Sequence, residues 1–167
     1  FPTSNNQMKY EYYRMCISGN GPGATSASIG EWRLYGYSCG TGSVVRCWGD
    51  NAYGELGVGS TNNVGDVGAG RMGTAMTAVD FGSGRTAKQI SLGYSHVCAI
   101  LDNKQLKCWG WNNKGQLGVG STVNMGDSGT EMGSNLLAVD LGTTGLTPLY
   151  PVSVQSGYSH TCVLLHT

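Results

Sequence analysis

The run Cys47-Trp48-Gly49-Asp50-Asn51-Ala52-Tyr53-Gly54-Glu55-Leu56-Gly57-Val58-Gly59-Ser60-Thr61 returns as Cys108-Trp109-Gly110-Trp111-Asn112-Asn113-Lys114-Gly115-Gln116-Leu117-Gly118-Val119-Gly120-Ser121-Thr122, an offset of 61 residues. Internal repetition restricts a chain to architectures in which like units stack on their neighbours. The correspondence continues downstream. Gly65-Asp66 and Met72-Gly73 are answered by Gly126-Asp127 and Met132-Gly133. Ala78-Val79-Asp80-Phe81-Gly82 is answered by Ala138-Val139-Asp140-Leu141-Gly142, and Gly93-Tyr94-Ser95-His96-Val97-Cys98 by Gly157-Tyr158-Ser159-His160-Thr161-Cys162. A weaker first copy keeps Cys16, Asn20 and Gly23 at the same spacing and ends on Gly36-Tyr37-Ser38-Cys39.

The repeat domain, 16–167, therefore divides into units 16–39 (degenerate), 47–98 and 108–162, each opening and closing on a cysteine. Residues 1–15 precede it as a strand of the donor type, with Met8, Tyr10 and Tyr12 alternating against Lys9, Glu11 and Tyr13 as a half-buried strand requires. Within the units, Val97–Leu101 and Gln105–Trp109 flank the turn Asp102-Asn103-Lys104 and read as a hairpin. Val44–Arg46, Arg33–Tyr35, Lys88–Leu92 and Pro151–Gln155 read as further strands, the last two as outer or linking ones. Gly and Asn interrupt every candidate helix. The Gly-rich stretches 57–73 and 118–133 read as long loops outside the core.

The Cys-Trp-Gly-x-Asn-x-x-Gly-x-Leu-Gly segments, the Gly-Asp…Met-Gly…Ala-Val-Asp linkers and the Gly-Tyr-Ser-His-x-Cys segments resemble the regulator of chromosome condensation (RCC1-like) propeller repeat. That resemblance implies an all-β chain of propeller-blade-like repeats of antiparallel strands with long Gly-rich loops. A full ring of that family has about seven blades. Two clear units and one degenerate unit are too few to close it. The exchange-factor activity of the family's best-known member is not carried over, because it needs a complete ring.

Composition removes several function classes. Lys and Arg total 10 and Asp and Glu total 10, so the chain lacks the cationic surface that nucleic-acid or anionic-membrane binding needs. The apolar runs Leu136–Val139 and Cys162–Leu165 are far below the roughly 20 residues of a spanning helix. With 28 glycines in 167 residues, against a usual share of about 7%, turns dominate. Six cysteines and a first residue Phe1 fit a mature secreted chain, hence an extracellular location with a disulfide framework.

The hairpin arithmetic places Cys98 opposite Cys108 about a turn centred on Asn103, and Cys39 opposite Cys47 about Ser43. Cys16 and Cys162 remain. Three arrangements satisfy them: closure within one molecule, a longer propeller of which this is a fragment, or a joint between copies. In the last, the N-terminal strand pairs with Thr161–Leu165 of a neighbour, drawing on Met8, Tyr10, Tyr12, Thr161, Val163 and Leu165.

His96 with Cys98, and His160 with Cys162, share strand faces but sit at repeated positions, so no catalytic residue is assigned; the histidines are expected to bond blade backbone. Asp50, Asp66, Asp80, Asp127, Glu131 and Asp140 lack the spacing of a calcium loop and are read as turn caps, leaving no metal and no cofactor assigned. Trp48 and Trp109 are expected between blades, and Trp111 on the surface. The expectation is an extracellular, non-enzymatic structural protein that polymerises with copies of itself head to tail into a fibril. The competing expectation is a secreted monomeric module that binds a glycan or a protein.

Overall fold

The computed structural model describes residues 17–18, 44–65 and 72–166. Met8, Tyr10, Tyr12, Cys16 and Cys39 lie outside the described residues, as do Arg33–Tyr35 and Asp66. In chain order the strands are β1 (Ile17–Ser18), β2 (Trp48–Gly49), β3 (Ala87–Leu92), β4 (His96–Leu101), β5 (Leu106–Gly110), β6 (Thr143–Thr144), β7 (Thr147–Pro148), β8 (Tyr150–Ser156) and β9 (Thr161–His166). The only helical turns among the described residues are 3-10 turns at Gly73–Ala75 and Gly133–Asn135, themselves repeat equivalents. The chain is all-β and built of propeller-blade-like repeats. No helix among the described residues is long and apolar enough to cross a membrane.

The central blade has the sheet order β3-β4-β5, antiparallel throughout. Its hairpin follows the sequence expectation, pairing Val97 with Trp109, Cys98 with Cys108 and Ala99 with Lys107. Lys104 closes the turn at φ 65, a left-handed position that a lysine seldom takes, and donates its N–H to the Leu101 carbonyl at 3.0 Å. A fourth strand position comes from the far side of the long loop. Ala138 bridges Lys107, and the Val139 N–H donates to the Leu106 carbonyl at 2.8 Å. The preceding unit repeats this closure, with the Val79 N–H donating to the Val45 carbonyl at 2.9 Å. Among the described residues the strand nearest the expected Val44–Arg46 is Trp48–Gly49, and Val45 accepts this one return bond.

The last blade contains β8 and β9, antiparallel, with Val154 opposite Val163 and Gln155 opposite Cys162. Before it, the small hairpin β6–β7 absorbs an insertion: the repeat offset rises from 60 at Asp140 to 64 at Gly157. β1 pairs in parallel with β2, not with β9.

Two apolar clusters hold the blades together. One gathers Val45, Leu56, Val79, Phe81, Ile90, Val97, Leu101 and Trp109 between the first and central blades. The other gathers Cys98, Ile100, Leu106, Cys108, Leu117 and Val154 between the central and last blades, with Val163 packed against it. The long loops do not stay outside these clusters. Met132 is buried in the first, and Val58, Val64 and Met125 pack on it, because each loop folds back across the blade edge at the Gly49–Val64 and Gly110–Met125 bridges. Buried Lys107 pins the return of both loops, donating from Nζ to the carbonyls of Phe81 (3.1 Å) and Gly133 (2.8 Å). Burial lowers its pKa, opposed by the Asp80 charge.

Candidate assembly edge

The repeated Gly-Tyr-Ser-His-x-Cys segment occurs once inside the blade stack and once at its end. In β4 all six residues are buried, and the strand is hydrogen-bonded on both sides. In β9 burial alternates between half-buried and exposed, and among the described residues only β8 pairs with it. Cys98 is bonded to Cys108, whereas Cys162 is a free, exposed thiol. Cys16, the other half of a Cys16–Cys162 closure, lies outside the described residues. Cys47 is disulfide-bonded, and Cys39, its expected partner, lies outside the described residues.

The side chains of β9 split by parity. Thr161, Val163 and Leu165 are half-buried and turn toward the central blade, while Cys162, Leu164 and His166 are exposed. The Thr161 hydroxyl donates to the Gln116 carbonyl at 2.9 Å and lies 3.0 Å from His96 Nε2 and 3.8 Å from Cys98 Sγ. What a further strand would meet on β9 is thus the backbone edge, with Cys162 on the open face.

His96 bonds this hydroxyl rather than blade backbone, which corrects the sequence expectation. Its ring needs the glycine three residues earlier, since a Cβ at Gly93 would collide with it. Gly157 stands in the same relation to His160. Burial, then the His160 charge, pushes the His96 pKa down to about 4. The unfolded chain therefore binds the extra proton between about pH 6.5 and pH 4, and stability falls through that window. Between pH 7 and pH 4.5 urea unfolding should lose about 2 kcal/mol from this group. A His96→Gln chain, which keeps a donor toward Thr161, should show correspondingly less acid sensitivity; equal pH slopes would contradict the assignment.

The loop acids act as turn caps. The carboxylates of Asp80 and Asp140 accept N–H bonds from Gly82 (2.8 Å) and Gly142 (2.9 Å), and Glu131 accepts from Gly126 and Ser128. Among the described residues no group of three or more His, Cys, Asp or Glu is placed to hold a metal. Trp109 is fully buried at the blade junction and Trp48 is half-buried. Trp111 is less open than expected: it is half-buried and stacks on Tyr53 of the preceding unit at 5.3 Å. An exposed aromatic pair does exist elsewhere. The repeat-equivalent Tyr94 and Tyr158 stack at 4.3 Å, each 61% exposed. Both this pair and the outward face of the last blade escaped sequence reasoning, although aligning the repeats marks every position involved.

The profile of the regulator of chromosome condensation (RCC1) repeat matches residues 87–116, which span β3, β4, β5 and the start of the following loop. The chain is 29% identical over 100 residues to the ultraviolet-B receptor UVR8 of Arabidopsis thaliana, covering 60% of this chain and 18% of that protein. It is 33% identical over 82 residues to the secretion-regulating guanine nucleotide exchange factor of Bos taurus, covering 49% of this chain and 16% of that one. The chain thus spans less than a fifth of the length of these curated relatives. Among solved structures, human WBSCR16 aligns with a TM-score of 0.43 at 22% identity, over 74% of this chain and 29% of that one. The chain thus carries an RCC1-type repeat at residues 87–116 and resembles the RCC1-like propeller-repeat proteins.

Proposed function

We propose that the chain is an extracellular structural protein that assembles head to tail into a fibril. The N-terminal strand of one copy adds to the open edge of β9 in the next, and a Cys16–Cys162 disulfide locks the joint. The observation that carries this reading is the contrast between two sibling strands. β4 is paired on both sides with its cysteine bonded, while among the described residues β9 is paired on one side with its cysteine free. An open strand edge is a template for another strand. The β4–β5 register supplies the geometry, for Cys98 faces Cys108 directly. Transferred to β9, the same antiparallel register sets Cys16 opposite Cys162 and brings Tyr12 level with His166. A contact of this kind joins unlike surfaces and propagates when its rotation does not close.

The reading is structural rather than enzymatic. The exchange activity in the name of the bovine relative is not assigned to this chain, which matches 16% of that protein. A monomeric binding module is the second reading, favoured by the exposed Tyr94–Tyr158 stack. Electrophoresis separates them. Under non-reducing conditions native material should run as a ladder that collapses to 17.5 kDa on reduction, and Cys16→Ser should abolish the ladder. A single monomer band in both lanes would exclude the covalent fibril.

A further inference from the structure

The central blade is covered by the last one through a defined set of contacts. Gln89 donates from Nε2 to the Val154 carbonyl at 2.9 Å, and the Ser156 N–H donates to Ser91 Oγ at 2.7 Å. His96 meets the Thr161 hydroxyl, and Cys98 and Ile100 close a buried cluster with Val154, against which Val163 packs. The covered face of the central blade is thus Gln89, Ser91, His96, Cys98 and Ile100. At the repeat offset of 64 these positions become Ser153, Gln155, His160, Cys162 and Leu164. Pairing of Gln155 with Cys162 and of Ser153 with Leu164 sets them together on the outward face of the last blade. There most of the set is open: His160 and Cys162 are exposed and Leu164 is 64% exposed, while Ser153 and Gln155 are half-buried.

We infer that this outward face docks a whole blade of a second copy of the chain, through the kind of face that the last blade itself turns inward. The inference rests on the head-to-tail reading but goes further than strand donation, because it makes the joint a continuation of the internal blade stack. Two features select a second copy over an unrelated partner. The molecule already contains a working version of the interface, a face of these residue positions buried by a blade of the same sequence type. The last blade also combines the two halves of that interface, an inward face that covers and an outward face that matches what is covered. At the joint, Leu164 takes the buried place of Ile100, His160 that of His96, and Gln155 that of Ser91, its amide reaching the incoming strand's backbone.

The test uses the full chain under reducing conditions, so that association is read without the disulfide. Sedimentation velocity compares wild type with Leu164→Glu and Gln155→Arg, and diethylpyrocarbonate labelling followed by mass spectrometry reads the histidines. Both variants should lower the assembled fraction at least tenfold while monomer melting temperature stays unchanged, because these side chains lie on the open face. On assembly His160 labelling should slow at least tenfold, and His96 should stay protected throughout. Assembled wild type with His160 as reactive as in the monomer would overturn the docked face, as would a Leu164→Glu chain that assembles normally. If Cys16→Ser abolishes cross-links while the face variants assemble normally, strand donation stands and blade docking fails. If the face variants block assembly while Cys16→Ser leaves the non-reducing ladder in place, blade docking stands and the disulfide joint fails.

Discussion

Trp109→Ala should destabilise the chain by about 3–5 kcal/mol, enough to lower the melting temperature by roughly 10 °C. Trp109 has no exposed surface and sits in the cluster between the first and central blades. Its ring meets Phe81 edge-on at 5.8 Å, and its Nε1–H donates to the Glu55 carbonyl at 2.8 Å. Truncation would leave a cavity bordered by two blades and an unpaired carbonyl in the loop between them. Trp109→Phe separates the two effects, since it keeps most of the ring but removes the donor; a loss of about 1–3 kcal/mol is expected. The repeat also supplies an internal control. Trp48 occupies the equivalent position but is only half-buried, so Trp48→Ala should cost about 1–2 kcal/mol. Chemical denaturation of the three variants gives the order directly. Equal losses for Trp109→Ala and Trp48→Ala would mean that the central blade does not depend on this contact.

The difference between those tryptophans shows which parts of the structure the sequence alone could reveal. Periodicity and turn chemistry are local, and they located the β4–β5 hairpin and its disulfide, since pairing about Asn103 decides which residues face each other. They also identified β3 and β8 to within a residue or two at each end. What they could not reach depends on contacts across units. Trp111 differs from its counterpart Asp50, which suggested a surface role, but Tyr53 from the preceding unit stacks on it. Gly-rich composition suggested that 118–133 lies outside the core, yet Met132 is buried because the loop folds back. The free state of Cys162 was implicit in the odd pair left after two hairpin bridges, but the outward face around it emerges only once the central blade shows which parity of side chains the next blade covers.

Asn112→Ala is expected to cost about 3–4 kcal/mol, although it deletes only a small polar group. Asn112 has no exposed surface. Its Nδ2 donates to the carbonyls of Ser121 (3.0 Å) and Val123 (2.8 Å), while its Oδ1 accepts the Leu117 N–H at 3.0 Å. One amide thereby ties the start of the long loop to its middle, and to the leucine that seals the second core cluster. Asn51 repeats the arrangement with Ser60, Asn62 and Leu56 at 2.6, 3.0 and 2.8 Å. This accounts for the Asn four residues after the opening cysteine of units 47–98 and 108–162: only an amide offers two donors and an acceptor from so short a side chain. Asn112→Asp tests that logic. It preserves the acceptor for Leu117 but turns a second carboxylate oxygen toward two carbonyl oxygens, so it should be no better than alanine. The exposed neighbour Asn113→Ala should stay within about 0.5 kcal/mol of wild type. Because Asn51 and Asn112 share no partner in these bonds, the double alanine variant should show additive losses. Urea unfolding of an Asn112→Ala chain within 1 kcal/mol of wild type would show that the loop holds its shape without the amide, and that the repeated Asn serves something other than the fold.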